Sequence, residues 1–116
     1  MTNPEKRFPA RFYQTATGKE PVREWLKELS PEDRRTLGED VKTVEYGWPI
    51  GMPLCRCMGS DLWEIRSNLS GRRIARILFC IANGHIVLLH GFIKKTQSTP
   101  RSDLELARAR MKEILL

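Results

Sequence analysis

Long apolar runs are missing from this sequence. Ile77–Ala82 and Ile86–Leu89 fall well short of the ~18 apolar residues a membrane helix needs, so no span is expected. Met1–Arg7 is polar and charged, with no apolar signal region behind it, which points to a cytoplasmic protein. Cysteine is scarce: Cys55, Cys57 and Cys80 are odd in number, so they cannot all pair, and Cys-x-Cys is too tight for an ordinary zinc knuckle. The two histidines, His85 and His90, stand in no recognised ligand spacing to them. Reduced thiols, no structural metal and no cofactor are expected. Internal repeats and low-complexity tracts are lacking as well. What remains is a chain of 116 residues, 41% hydrophobic and 29% charged, which fits one soluble domain spanning 1–116.

Acidic residues are short in one half only. Residues 1–50 carry 9 basic and 9 acidic side chains, while residues 51–116 carry 11 basic and 5 acidic, so the whole net charge of +6 lies in the second half. That asymmetry suggests one surface facing a polyanion or an acidic partner.

The hydrophobic periods outline the elements. Arg7–Tyr13 alternates and predicts a short strand. Pro21 opens a helix in which Val22, Trp25, Leu26 and Leu29 form one stripe. Ser30-Pro31-Glu32-Asp33 restarts a second helix, whose stripe of Leu37, Val41 and Val44 runs to about Tyr46. Beyond a Gly- and Pro-rich loop the period becomes extended: Leu54–Met58, Leu62–Asn68, Arg72–Ile81 and His85–Ile93 read as four strands. Asn83-Gly84 between apolar runs is a strong hairpin signal. Thr99-Pro100 reads as the cap of a last helix with Leu104, Ala107 and Met111 on its apolar face. The expected class is α+β: an antiparallel twisted sheet with an N-terminal helical hairpin and a C-terminal helix, in the order β-α-α-β-β-β-β-α.

Several side chains on these strands carry chemistry, each with two readings. Arg66 shares a strand face with Glu64 and Asn68, opposite Trp63 and Ile65; it is either a phosphate-gripping guanidinium or a surface arginine paired with an acid. Arg76 lies in the most apolar segment and must reach a phosphate in a cleft or a buried acid, because an unpaired buried charge is costly. His90 is a core histidine or a general acid–base, its ordinary pKa being near neutrality. Lys94, on the face of His90 and Phe92, either neutralises developing charge or is simply solvated. Lys95 points the other way, toward a more distant phosphate or toward water. Trp63 is a core residue or a base-stacking platform. Arg56, Arg72 and Arg73 suit contacts to a polyanion, and Gln97 suits a hydrogen bond to a ligand or a turn. His85, beside the Asn83-Gly84 turn, reads as a solvated loop-end residue.

Three stretches taken together resemble a known group: Gly18-Lys19 with Pro21-Val22, Leu62-Trp63-Glu64-Ile65-Arg66, and Leu88-Leu89-His90-Gly91-Phe92-Ile93-Lys94-Lys95-Thr96-Gln97 before Thr99-Pro100. From about Phe8 to Leu116 the chain resembles the RelE/ParE superfamily of bacterial toxins, in its HigB-like, phage-associated branch. The resemblance implies a RelE-like fold and a metal-independent endoribonuclease, an mRNA interferase that cuts messenger RNA in the ribosomal A site and stops translation and growth. It implies Arg66, Arg76, His90 and Lys94 as catalytic residues, and Arg56, Trp63, Arg72, Arg73, Lys95 and Gln97 as RNA contacts. The implied partners are mRNA, the ribosome and a cognate helix-turn-helix antitoxin, with operator DNA reached only through that antitoxin. A basic concave face would invite an acidic or amphipathic segment and be inhibited by its cover. Two alternatives accompany this reading: a ParE-like, non-enzymatic block of DNA gyrase, and an inactive toxin fold that only binds. Ala75 and Phe79 stand where many relatives carry tyrosines; where that hydroxyl serves the chemistry, its loss either shifts the proton transfer onto His90 or weakens the activity.

Overall fold

Proline and serine set the helical hairpin. Helix α1 (Pro21–Glu28) starts on its proline, and α2 (Pro31–Gly47) starts behind Ser30, whose hydroxyl accepts a hydrogen bond from the Asp33 amide at 3.2 Å. The computed structural model describes residues 5–115. Around the hairpin the order is β1 (Ala10–Phe12), α1, α2, β2 (Cys55–Gly59), β3 (Leu62–Asn68), β4 (Ile74–Ala82), β5 (His85–Lys94) and α3 (Arg101–Leu115), with a 3₁₀ turn at Ser70–Arg72. The expected α+β order is present.

The strands lie in the order β1-β5-β4-β3-β2. β2 through β5 pair antiparallel, but β1 runs parallel to β5, so the sheet is mixed and not wholly antiparallel. A parallel neighbour needs a long crossover, and everything from α1 to β4 lies between these two strands. The β4–β5 hairpin closes through Asn83 and Gly84, both at positive φ (51° and 74°), the backbone such a two-residue turn requires.

Strand β4 sits at the centre and is covered on both faces, which explains its lack of polar alternation. On one face, Ile65, Ile77, Phe79 and Leu88 pack with Val22, Leu37 and Val44 of the hairpin. Gly91 belongs here: a Cβ on it would lie 2.4 Å from the Trp25 ring, so the glycine lets α1 rest directly on β5. On the other face, Leu62, Leu78, Cys80 and Leu89 pack with Ala107 and Met111 of α3. Burial raises the Cys55 and Cys80 thiols to about 11, so neither is a reactive thiolate near neutrality.

Arg108 fastens α3 by donating to the Met58 and Gly59 carbonyls, and Arg110 by donating to the Leu89 carbonyl at 2.7 Å. Tyr13 donates to Glu113 at 2.5 Å; that hydrogen bond, helped by burial, raises the phenol's pKa and keeps it neutral. Beyond the N-terminal turn of α3 the same sheet face carries polar groups instead of a core.

Candidate active site

Antiparallel register builds this polar patch. Arg66 of β3 pairs with Arg76 of β4, and Arg76 pairs with Phe92 of β5. The neighbouring rows add Arg56, Glu64 and His90 on one side, and Asn68 and Lys94 on the other. Residues directly opposite in an antiparallel sheet point to the same side, so Arg56, Arg66, Arg76, His90 and Lys94 share one face.

A bulge aims the histidine. Leu78 pairs with His90 but Phe79 pairs with Leu88, leaving Leu89 as an extra residue in β5. Leu89 and His90 therefore both turn toward α3. There His90 Nε2 meets Asp103 Oδ1 at 2.6 Å, and the other carboxylate oxygen lies 3.9 Å from Lys94 Nζ. A carboxylate only accepts, so His90 Nε2 carries the proton that faces Asp103. The His90 ring stacks on Phe92 at 5.6 Å between centroids.

The two arginines differ in accessibility. Arg66 is half-buried; it donates to Glu64 at 3.4 Å and to the Gln97 carbonyl and side-chain oxygen at 3.1 and 3.2 Å. Beside it opens a depression of about 320 Å³ shared by Arg56, Asn68 and Gln97. Arg76 has no exposed surface. Its Nη1 donates to the Ser98 carbonyl at 2.6 Å and its Nη2 to the Thr96 carbonyl, while Nε has no partner. Its guanidinium lies 5.8 Å from the Phe92 centroid. Burial lowers its pKa, and the nearby Glu64 charge opposes that shift. A guanidinium nonetheless stays protonated.

The loop after β5 therefore roofs the patch. Carbonyls of Thr96, Gln97 and Ser98 face the two guanidinium groups, and Thr99 donates its hydroxyl to fully buried Glu64 at 2.5 Å. Thr99 was expected to cap α3, and its side chain instead anchors this roof to β3.

The structure thus gathers Arg56, Arg66, Arg76, His90, Lys94 and Gln97. An open cleft over Arg76 does not exist, because the loop carbonyls fill it. Lys95 is exposed on the loop itself, and Arg72 is exposed at the β3–β4 turn. Trp63 lies on the opposite face, edge-on to Trp48 at 4.8 Å. Arg73 is also elsewhere: it makes a two-point contact with Asp33 of α2 at 2.8 and 3.0 Å, which holds the Asp33 carboxyl below its ordinary range. His85 bonds the Asn83 carbonyl at 2.8 Å beside its turn.

Glu64 and Asp103 were missed as site residues. Glu64 was visible only as a possible ion-pair partner of Arg66, and Asp103 read as an acid favouring a helix N-terminus. Among the described residues, no group of three or more His, Cys, Asp or Glu is placed to hold a metal ion. Among the described residues, no helix is long and apolar enough to cross a membrane.

A five-stranded sheet, a helical hairpin on one face, a C-terminal helix on the other and a cationic patch at the open end of that second face define a RelE-like protein. A family model described as "Phage derived protein Gp49-like (DUF891)" matches residues 24–112, more than three quarters of the chain and all of the patch. The chain belongs to this family, a RelE-like toxin family of toxin–antitoxin systems. No curated protein matches the chain.

Proposed function

We propose that this protein is the toxin of a HigB-like toxin–antitoxin pair and cleaves messenger RNA on the ribosome without a metal. The observation that carries the reading is the His90–Asp103 pair next to Lys94, on the sheet face that also carries Arg66 and Arg76.

In the reaction the ribose 2′-oxygen attacks the adjacent phosphorus, the 2′-O–P bond forms and the P–O5′ bond breaks. Neutral His90 accepts the 2′-OH proton at Nδ1, and Asp103 stabilises the imidazolium that results. Arg66 and Lys94 meet the charge of the phosphorane, and the leaving 5′-oxygen takes a proton from water. The products are a 2′,3′-cyclic phosphate and a 5′-hydroxyl. Arg56, Lys95 and Arg72 hold the flanking backbone through salt-dependent contacts.

Arg76 joins only when the roof opens: RNA phosphate oxygens then replace the carbonyls of Thr96 and Ser98. Before that, the loop oxygens keep a pair of adjacent guanidinium groups solvated in place of an anion.

Brief induction tests this reading. Wild type should stop amino-acid incorporation while leaving plasmid supercoiling unchanged, and Arg66→Ala should affect neither process. Loss of supercoiling with translation intact would instead select a gyrase-blocking protein.

A further inference from the structure

One aromatic ring in the cationic patch has no part in the reaction above. Phe92 is buried on the sheet face that carries Arg66, directly opposite Arg76 in the β4–β5 register and two residues from His90. The His90 imidazole stacks on it with 28° between the planes. The Arg76 guanidinium lies over the same ring, and Leu78 packs with Phe92 in one apolar cluster. A single benzene ring is therefore shared by the acid–base histidine and the sealed arginine.

The histidine needs such a neighbour. The torsion that turns an imidazole about its Cβ bond is broad and soft. Asp103 fixes one point of the ring, Nε2 at 2.6 Å, and leaves its plane free to turn about that contact. A stacked ring removes this freedom. Phe92 is in turn backed by Arg76, whose Nη1 and Nη2 are tied to the Ser98 and Thr96 carbonyls. A benzene face also carries negative charge density, so it attracts a guanidinium or an imidazolium while staying apolar toward Leu78. An aliphatic side chain in its place supplies bulk without that attraction.

We infer that Phe92 is a positioning residue: its ring sets the plane of the His90 imidazole against an arginine that the roof has already fixed. The kinetic consequence rests on the ribonuclease reading, whereas the geometric consequence holds in the free protein without RNA. Phe92 touches no reacting atom and acts only through His90.

The test compares the full chain with Phe92→Leu and Phe92→Tyr at a temperature where circular dichroism shows each folded. Phe92→Met and Phe92→Trp stand in for a variant that fails to fold. NMR of the free protein reads the imidazole directly. The His90 Nε2–H held by Asp103 should give a slowly exchanging downfield signal in wild type and Phe92→Tyr, and should be lost to exchange in Phe92→Leu. Cleavage of ribosome-bound message reads the consequence. Phe92→Leu should lower the maximal rate by on the order of tenfold at an unchanged half-saturating concentration, and Phe92→Tyr should recover most of it. An undisturbed imidazole signal in the folded leucine variant, a raised half-saturating concentration at an unchanged maximal rate, or a tyrosine variant no better than leucine would each overturn the proposal. A wild-type protein that cuts no message would instead overturn the ribonuclease reading, and the imidazole signal alone would then decide what Phe92 holds.

Discussion

Arg66 and Arg76 stand directly opposite one another in β3 and β4, two guanidinium groups on one sheet face with only Glu64 and the loop oxygens between them and mutual repulsion. Like charges opposite one another destabilise a sheet, so this pair is a built-in preference for an anion. Their environments divide the labour: Arg76 is sealed and Arg66 borders an open depression.

Substitution should separate the two. Arg76→Met leaves the Thr96 and Ser98 carbonyls without their donor and removes a positive charge near Glu64, and should cost about 3 kcal/mol in urea unfolding. Arg66→Ala takes the ion-pair partner from buried Glu64 and the donor from Gln97 and should cost about 1–2 kcal/mol while abolishing growth inhibition. Equal destabilisation by both would mean that the two share one structural role.

Two side chains of the roof bond the strand floor: Thr99 donates to Glu64, and Gln97 accepts from Arg66. Thr99→Ala strips its bond from a buried carboxylate and should lower stability by roughly 1–2 kcal/mol. Hydrogen exchange of the amides from Lys95 to Ser98 should accelerate more than that of β4. Unchanged exchange in the loop would show that it is held by the arginines alone.

Gly91 and Trp25 form a steric lock between β5 and α1. Gly91→Ala places a methyl group against the indole and should destabilise by about 1–3 kcal/mol. Adding Trp25→Leu should recover part of that loss, a coupling that a double-mutant cycle reads directly. Full additivity would mean that α1 adjusts without strain.

Asp33 makes stability depend on acidity. Arg73 holds its folded-state pKa below the ordinary value of about 3.9, so the pair stabilises the fold above that value and the contribution disappears as pH falls through the depressed one. The melting-temperature gap between wild type and Asp33→Asn should therefore be widest near about pH 6 and close toward about pH 2. A gap that stays constant would exclude this linkage.

Local signals made most of the architecture readable. Ser30-Pro31 and Asn83-Gly84 act within a few residues, so their cap and turn followed from sequence, as did the shared face of His90, Phe92 and Lys94. The parallel β1–β5 pairing was not readable, because nothing within Ala10–Phe12 encodes which distant edge it joins. Nor was the roof. Its hydrogen bonds are main-chain carbonyls accepting from Arg76, and carbonyls carry no sequence signature. Arg73 looked like any basic RNA contact until α2 brought Asp33 beside it. Trp63 follows strand alternation, which turns it away from Arg66 and toward Trp48.

The central claim is that His90 and Asp103 act as one acid–base unit on RNA held by Arg66 and Lys94. Sequencing of 5′-hydroxyl transcript ends after brief induction tests it most directly, with wild type, His90→Gln and Asp103→Asn compared at equal protein level. New 5′-hydroxyl ends inside coding regions should appear with wild type and fall by on the order of a hundredfold with either variant. Undiminished ends in both variants, or no new ends with a wild-type protein that still arrests growth, would contradict the account.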